Sequence, residues 1–69
     1  SRHKAISDLQ AEESGTIVGL LITEELRKLF AGNLFIGAIV KSNGSTNYDI
    51  NGQSIGLKTD IAQSIIVEV

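Results

Sequence analysis

Apolar and polar positions divide the chain into seven short segments. In residues 4–14, KAISDLQAEES, the apolar side chains of Ala5, Ile6 and Leu9 are separated by polar residues. This spacing predicts a helix of about three turns with one apolar stripe. Residues 16–22, TIVGLLI, are apolar throughout and begin with β-branched side chains, which is typical of a strand buried on both faces. The glycine between the two segments suits a helix stop.

Residues 23–31 contain the clearest helix signal in the chain. Thr23 can accept a hydrogen bond from the first free N–H groups of a helix, and Glu24 follows in the first turn, where the helix dipole favours negative charge. Gly32 then predicts the end of the helix. The apolar side chains of this segment share one helical face: Ile22, Leu26, Leu29 and Phe30.

Two asparagine–glycine pairs organise the remainder of the chain. Asn43-Gly44 and Asn51-Gly52 both tolerate positive φ, so each predicts a tight hairpin turn. The predicted strands around them are residues 34–41, 46–50, 53–57 and 61–69. The last strand is apolar on both faces near its end, so we expect another element or another chain to cover it.

These elements together predict an α+β fold. It has two short helices, at about 4–14 and 23–31, and a small, mainly antiparallel sheet formed by the strands named above and by residues 16–22. Residues 1–69 form one small domain, in which residues 1–4 are a mobile basic tail.

The small size and the composition of the chain limit how its folded state can be stabilised. A domain of 69 residues buries only about 60% of its unfolded surface. The chain has no cysteine and one histidine, so disulfides and thiolate metal sites are excluded within it. Self-association or docking into a larger protein assembly is the remaining way to bury the aliphatic side chains that a small core leaves exposed.

Candidate catalytic chemistry is sparse. A nucleophile needs a base, and the chain offers only His3, in the predicted tail. The carboxylate pairs Glu12/Glu13 and Glu24/Glu25 are neighbours in sequence, which point about 100° apart on a helix, so we interpret them as helix-end charges. We predict no catalytic residue, no cofactor-binding residue and no cofactor, and therefore no enzyme.

One segment partly matches a calcium-binding loop. Asn47, Asp49 and Asn51 alternate before Gly52, as ligands do at the start of such a loop. The twelfth position is Lys58 rather than an acid, and the residues between the polar positions suit a strand. We therefore predict a hairpin here and no metal site.

Charge and hydropathy limit the partners and the location. The net charge of -2 makes a nucleic-acid partner unlikely, because nucleic acids are bound by basic surfaces. The apolar runs at 16–22 and 34–40 fall far short of the roughly 20 residues of a membrane-spanning helix. With no secretion signal in the sequence, we expect a cytoplasmic protein or part of a particle.

These observations favour a non-enzymatic structural or protein–protein interaction subunit that self-associates or docks into a larger assembly. The segments HKAISDLQ and ELRKLF are similar to linker-and-helix segments of phage fibre proteins, which implies a virion or phage accessory protein. The predicted interface residues are Phe30, Leu34, Phe35, Ile61, Ile65, Ile66, Val67 and Val69.

Two other functions stay open. The first is a small regulatory nucleic-acid-binding protein that uses basic residues of the tail and of a helix face: Arg2, His3, Lys4, Arg27, Lys28 and Lys41. The second is an enzyme whose site is shared between subunits.

Overall fold

The computed structural model describes residues 2–21, 23–29 and 35–69, and one antiparallel sheet dominates it. The six strands are His3–Ala5 (β1), Ser14–Leu20 (β2), Ile39–Ser42 (β3), Asn47–Ile50 (β4), Gln53–Gly56 (β5) and Ile65–Glu68 (β6). The helical elements are a 3₁₀ turn at Ile6–Asp8, helix α1 at Glu24–Leu29 and helix α2 at Thr59–Ala62.

The strand order in the sheet is β1-β6-β2-β3-β4-β5, and all neighbours are antiparallel. Strand β6 therefore lies between β1 and β2, which brings the two ends of the chain together. The Val69 N–H donates to the Arg2 carbonyl at 2.9 Å, so this pairing extends beyond the strands themselves. Strands β6, β2, β3 and β4 each have a neighbour on both sides.

The core lies on one side of the sheet and is mainly aliphatic, with Tyr48 also buried in it. Ile17 of β2, Val40 of β3 and Val67 of β6 have no exposed surface, and neither has Ile6 from the 3₁₀ turn. Burying an aliphatic side chain of this size contributes about 1.5–3 kcal/mol, so alternate residues of the central strands hold the fold together.

The prediction of an α+β fold with two substantial helices is wrong. The described residues form a mostly β structure in which α1 has 6 residues and α2 has 4. The overestimated helix content comes from residues 4–14. Residues 61–69 also differ from their prediction, and each difference has a physical reason.

Residues 4–14 form no α-helix. They contain part of β1, the 3₁₀ turn, and the beginning of β2. The apolar side chains of this segment are buried without a helix, because Ile6 and Leu9 pack in the core. The backbone of Lys4 pairs with Val67 of β6. Glu12 has φ 73, and its N–H donates to the Ser42 carbonyl at 2.8 Å, which turns the chain into β2.

The expected mobile tail at residues 1–4 also differs from the structure. Residue 1 lies outside the described residues, and His3–Ala5 form an edge strand paired with β6. The terminal segment is therefore part of the sheet.

Residues 61–69 are not one strand. The chain forms α2 at Thr59–Ala62, turns, and enters β6 at Ile65. Ile61 and Ile65 are separated by four residues, a spacing that fits one helical turn as well as alternation along a strand. Both side chains are buried in the core, as expected, but the backbone between them is not the predicted strand.

Other predicted elements are confirmed. The Thr23 hydroxyl accepts a hydrogen bond from the Leu26 N–H at 3.1 Å, the expected cap of α1. Both asparagine–glycine pairs lie in hairpin connections, between β3 and β4 and between β4 and β5. The strand expected at 34–41 is β3, which begins only at Ile39 because a turn precedes it. Residues 30–34, including the predicted helix stop, lie outside the described residues.

Candidate functional site

Several large apolar side chains are exposed on β2 and β3 and on the residues that adjoin these strands. Five large apolar side chains in the described part of the chain are exposed, Leu21 by 65%, Ile36 by 61% and Ile39 by 60% of their surface. We call this group the apolar surface; its members are Val18, Leu21, Phe35, Ile36 and Ile39.

Strand β2 supplies one half of the apolar surface through an irregularity in its pairing. Its register with β6 shifts between Ile17 and Gly19, so Val18 is the extra residue of a bulge. After the bulge, Leu20 pairs with Ile65 and packs against the core, whereas Leu21 is exposed. The bulge thus leaves two large apolar side chains on the outer side at the end of one strand.

The turn before β3 supplies the other half. The Gly37 N–H donates to the Ile17 carbonyl at 2.8 Å, and the Ala38 N–H donates to the Phe35 carbonyl at 3.1 Å. Gly37 has φ 98, a conformation that a side chain would disfavour. These bonds hold residues 35–38 beside β2, so Phe35 and Ile36 lie next to the bulge.

Ile39 continues the surface into β3. It lies opposite Thr16 of β2, and its N–H donates to the Asn51 side-chain oxygen at 3.2 Å. On the other side of β2, Ile66 of β6 lies opposite Gly19 and is half-buried, with its Cβ 3.7 Å from the position of a Cβ on that glycine. The apolar surface therefore extends from β2 to β3, and Ile66 of β6 lies beside it.

The predicted interface residues divide between core and surface. Ile61, Ile65 and Val67 are buried in the core of this single chain, and Val69 is half-buried against it. Phe35 and Ile66 lie on the outer side, within or beside the apolar surface. Phe30 and Leu34 lie outside the described residues. For all of the predicted interface residues, a role in contacts with another chain stays a prediction.

Sequence reasoning missed Val18, Leu21, Ile36 and Ile39. The two apolar runs that contain them, TIVGLLI and LFIGAIV, are continuous, so no alternation separates inner from outer positions. The usable signal was the glycine inside each run, which indicates a bulge or a turn and hence a change of face.

A second candidate is a cleft of about 370 Å³ between α1 and α2, lined by Thr23, Glu24, Leu26, Asp60, Ile61 and Ser64. Three of its polar side chains, those of Thr23, Asp60 and Ser64, already have local partners. Asp60 Oδ1 accepts from the Ile61 N–H at 2.9 Å, and the Ser64 hydroxyl donates to the Asp60 carbonyl at 3.3 Å. These bonds stabilise the start and end of α2.

Several basic side chains are neutralised by carboxylates. Lys4 Nζ lies 3.1 Å from Glu13, and Lys41 Nζ lies 2.8 Å from Glu12. The backbone N–H of Gln10, followed by Lys4, holds the pKa of the Glu13 carboxyl below its usual value. The hydrogen bond to Glu12 raises the pKa of Lys41. The first ion pair joins the turn before β2 to β1, and the second joins it to β3.

Among residues 2–21, 23–29 and 35–69, no group of three or more His, Cys, Asp or Glu side chains is placed to hold a metal ion. The segment that partly matches a calcium-binding loop is the β4–β5 hairpin, as predicted, with Asp49 opposite Ser54. None of the helices in the described part of the chain has the length and apolar character needed to cross a membrane.

Comparison with solved structures shows which known proteins have a similar fold. The chain is similar to the crystal structure of an iron uptake regulatory protein, FeoA, with a TM-score of 0.80 and 18% identity over 99% of this chain and 97% of that one. It is also similar to the solution structure of a FeoA-like protein from Clostridium acetobutylicum, with a TM-score of 0.83 and 17% identity over 100% of this chain and 88% of that one. The fold is thus the small, SH3-like β-barrel type of these proteins.

At the level of sequence, no family model matches the chain and no curated protein is similar to it. At identities of 17% and 18%, the structural likeness shows the fold alone.

The hypothesis of a structural or virion subunit is wrong. The two structural neighbours described above are a FeoA and a FeoA-like protein, one of them described as an iron uptake regulatory protein. The regulatory half of the alternative hypothesis agrees better with them. Location in a particle loses its support, and self-association stays a prediction.

Proposed function

We propose that this chain is a small regulatory domain of iron uptake, which acts by binding another protein and catalyses no reaction. The observation that carries the proposal is the likeness to an iron uptake regulatory protein over 99% of this chain and 97% of that one. Because both chains are matched from end to end, the resemblance concerns a whole domain rather than a shared substructure.

The apolar surface supports protein binding as the mode of action. Exposed apolar patches on a small domain mark interaction sites, because water disfavours them when they are left uncovered. Ile36 and Ile39 are each about as exposed as a surface polar residue, at 61% and 60%. A regulator without catalytic chemistry changes the activity of its target by binding one state of it more tightly than another.

The ion pairs involve three of the six basic residues of the nucleic-acid alternative and leave out Arg2, Arg27 and Lys28, which are exposed. Of the basic residues expected to bind phosphates, Lys4 and Lys41 each contact a carboxylate, and His3 lies 3.9 Å from Glu68. Phosphate binding needs basic side chains that are not already neutralised. A protein target and a cytoplasmic location are part of the proposal.

Deletion of the gene tests the proposal. In the organism that carries it, loss of this chain should change the rate of radioactive iron uptake in iron-limited medium, and a plasmid-borne copy should restore the parental rate. Zinc uptake, measured in the same cells, serves as the control and should stay unchanged. An unchanged rate of iron uptake in the deletion strain would contradict the proposal.

A further inference from the structure

The connections on either side of β4 each contain an asparagine followed by a glycine. We propose that Asn43, between β3 and β4, is a site of spontaneous covalent modification in the folded protein, where the side-chain amide is lost as ammonia. Asn51, between β4 and β5, is protected from the same reaction by its contacts. The reaction needs neither an enzyme nor a bound ligand, so the inference is independent of the proposed function.

The reaction joins the asparagine side chain to the backbone nitrogen of the next residue. The Gly44 nitrogen forms a bond to the Asn43 Cγ, the bond between Cγ and the side-chain nitrogen breaks, and the Gly44 N–H proton leaves with that nitrogen as ammonia. Glycine favours this step because no side chain hinders the approach of its nitrogen.

Water then opens the cyclic imide and returns a proton to the Gly44 nitrogen. Cleavage of the bond between Cγ and this nitrogen leaves aspartate at position 43. Cleavage of the bond between the backbone carbonyl carbon and this nitrogen leaves isoaspartate, in which the main chain runs through Cβ and Cγ. Both products carry a carboxylate where the asparagine had a neutral amide.

The turn that contains Asn43 leaves the reacting carbon free to move. Residues 43–46 connect β3 to β4, and Asn43 is exposed. In the part of the chain that the structure describes, no hydrogen bond engages its side-chain amide. The Gly44 N–H donates to the Ser42 hydroxyl oxygen at 3.2 Å, at the long end of the usual range. Release of this bond and rotation of an exposed side chain therefore bring the reacting atoms together.

The turn that contains Asn51 is tighter and is fastened to another strand. Asn51 and Gly52 alone connect β4 to β5, with φ 49 and φ 86. The Asn51 N–H donates to the Ile39 carbonyl at 3.0 Å, and the Asn51 side-chain oxygen accepts from the Ile39 N–H at 3.2 Å. The Asn51 Cγ is thus held toward β3, and it must leave this position before the Gly52 nitrogen can attack it.

Modification at Asn43 changes the end of the β3–β4 hairpin. It adds one negative charge to a chain whose formal net charge is -2. The Asn43 N–H donates to the Asn47 carbonyl at 2.9 Å, and the Asn47 N–H donates to the Gly44 carbonyl at 3.1 Å. The isoaspartate form inserts a further main-chain atom between these two bonds, so the turn must rearrange to keep both.

Mass spectrometry of a single peptide tests the proposal. Trypsin cleaves after Lys41 and Lys58, so Asn43 and Asn51 are compared within the peptide of residues 42–58. The folded protein is incubated in mildly alkaline buffer made with heavy-oxygen water and is then digested in ordinary water. Only the acids formed during the incubation carry the heavy oxygen, and fragment ions assign it to each position.

We expect the heavy acid to accumulate at position 43 about five-fold faster than at position 51, the factor that corresponds to the net contribution of one hydrogen bond. Asn47, which precedes the bulky Tyr48, is the internal control and should stay an amide over the same period. In urea the rates at positions 43 and 51 should approach each other, because the contacts with Ile39 are lost.

Two matched variants verify the assignment. Asn43→Gln should abolish the signal at position 43, because a glutamine side chain must close a larger and less favourable ring. Asn51→Gln should leave the rate at position 43 unchanged. Far-ultraviolet circular dichroism verifies that both variants are folded.

Three results would overturn the proposal. The first is an absence of heavy acid at position 43 of the folded protein over a period that modifies the chain in urea. The second is a rate at position 51 of the folded protein that equals or exceeds the rate at position 43. The third is the same ratio of rates in the folded protein and in urea, which would mean that the neighbouring sequence, and not the turn, determines which asparagine reacts.

Discussion

At Gly15, the sheet brings the backbone of β2 against β6. A Cβ at this position would lie 3.0 Å from the Val67 Cβ, the Val67 Cγ2 and the Glu68 carbonyl oxygen. This is closer than carbon atoms normally pack, and two of the three neighbours are atoms that cannot rotate away. The glycine is therefore required by close approach between strands rather than by backbone conformation.

We predict that Gly15→Ala lowers the free energy of unfolding by about 1–3 kcal/mol, because the added methyl forces the two strands apart. Gly19→Ala in the same strand is the matched control, since a Cβ there lies 3.7 Å from the nearest atom, an ordinary contact. Urea unfolding of both variants measures the difference. Equal losses in the two variants would show that strand spacing at Gly15 is not the cause.

The Glu13 carboxylate gives the domain a pH-dependent contribution to stability. Its pKa is lowered in the folded state by the Gln10 N–H and by Lys4, so folding favours the charged form. The contribution is fully present above the unfolded-state pKa and is lost as the pH falls through the folded-state pKa.

We predict that Glu13→Gln destabilises the domain at pH 7, and that the difference from wild type shrinks as the medium is acidified. Urea midpoints of the two proteins at pH 7 and at progressively lower pH measure this directly. A difference that stays constant across the acid range would mean that the Glu13 charge does not contribute.

At the scale of elements, the hairpins were predictable because their signal is local. In the β4–β5 turn, Asn51 has φ 49 and Gly52 has φ 86, the left-handed pair that a two-residue turn requires. Residue type alone is enough to predict such a turn. The cap of α1 at Thr23 is local in the same sense, since donor and acceptor are three residues apart.

We predict that Gly52→Ala lowers the free energy of unfolding by about 1 kcal/mol, because an alanine at φ 86 is strained. No atom lies within 4 Å of the added methyl, so the loss would come from the backbone alone. Gly56→Ala, at the other end of β5 and without a positive φ, is the control and should cost less. A larger loss at Gly56 than at Gly52 would contradict this explanation.

The elements that were mispredicted depend on distant partners. Lys4 and Ala5 become part of a strand only because β6, some 60 residues later, pairs with them. Ile61 and Ile65 fit either a helix or a strand by spacing, and the core decides between the two. The sequence pattern indicated which of these side chains are buried. Contacts with distant parts of the chain determined whether the backbone that carries them is a helix or a strand.

The same limit applies to the candidate site. The sequence identified two continuous apolar runs, and it identified Phe35 and Ile66, which lie on or beside the apolar surface. It could not show that Val18, Ile36 and Ile39 are turned outward, because a bulge and a glycine turn cause this, and both depend on how β2 pairs with its neighbours.

At the scale of the whole molecule, the two sides of the small sheet differ. One side carries an aliphatic core that includes Ile6, Ile17 and Val67, all without exposed surface. The other side presents the apolar surface on interior strands, where backbone pairing with a partner is blocked. A domain of this construction can contact a partner's side chains without opening its own sheet, as the proposed function requires.

The central claim is that this chain regulates iron uptake through the apolar surface. The most direct test is complementation of the deletion strain with wild type, with Gln53→Ser, and with Ile36→Ser combined with Ile39→Ser, all at equal protein levels. We predict that wild type and Gln53→Ser restore the parental rate of iron uptake and that the double serine variant, although folded, does not. Full restoration by the double serine variant would contradict the account.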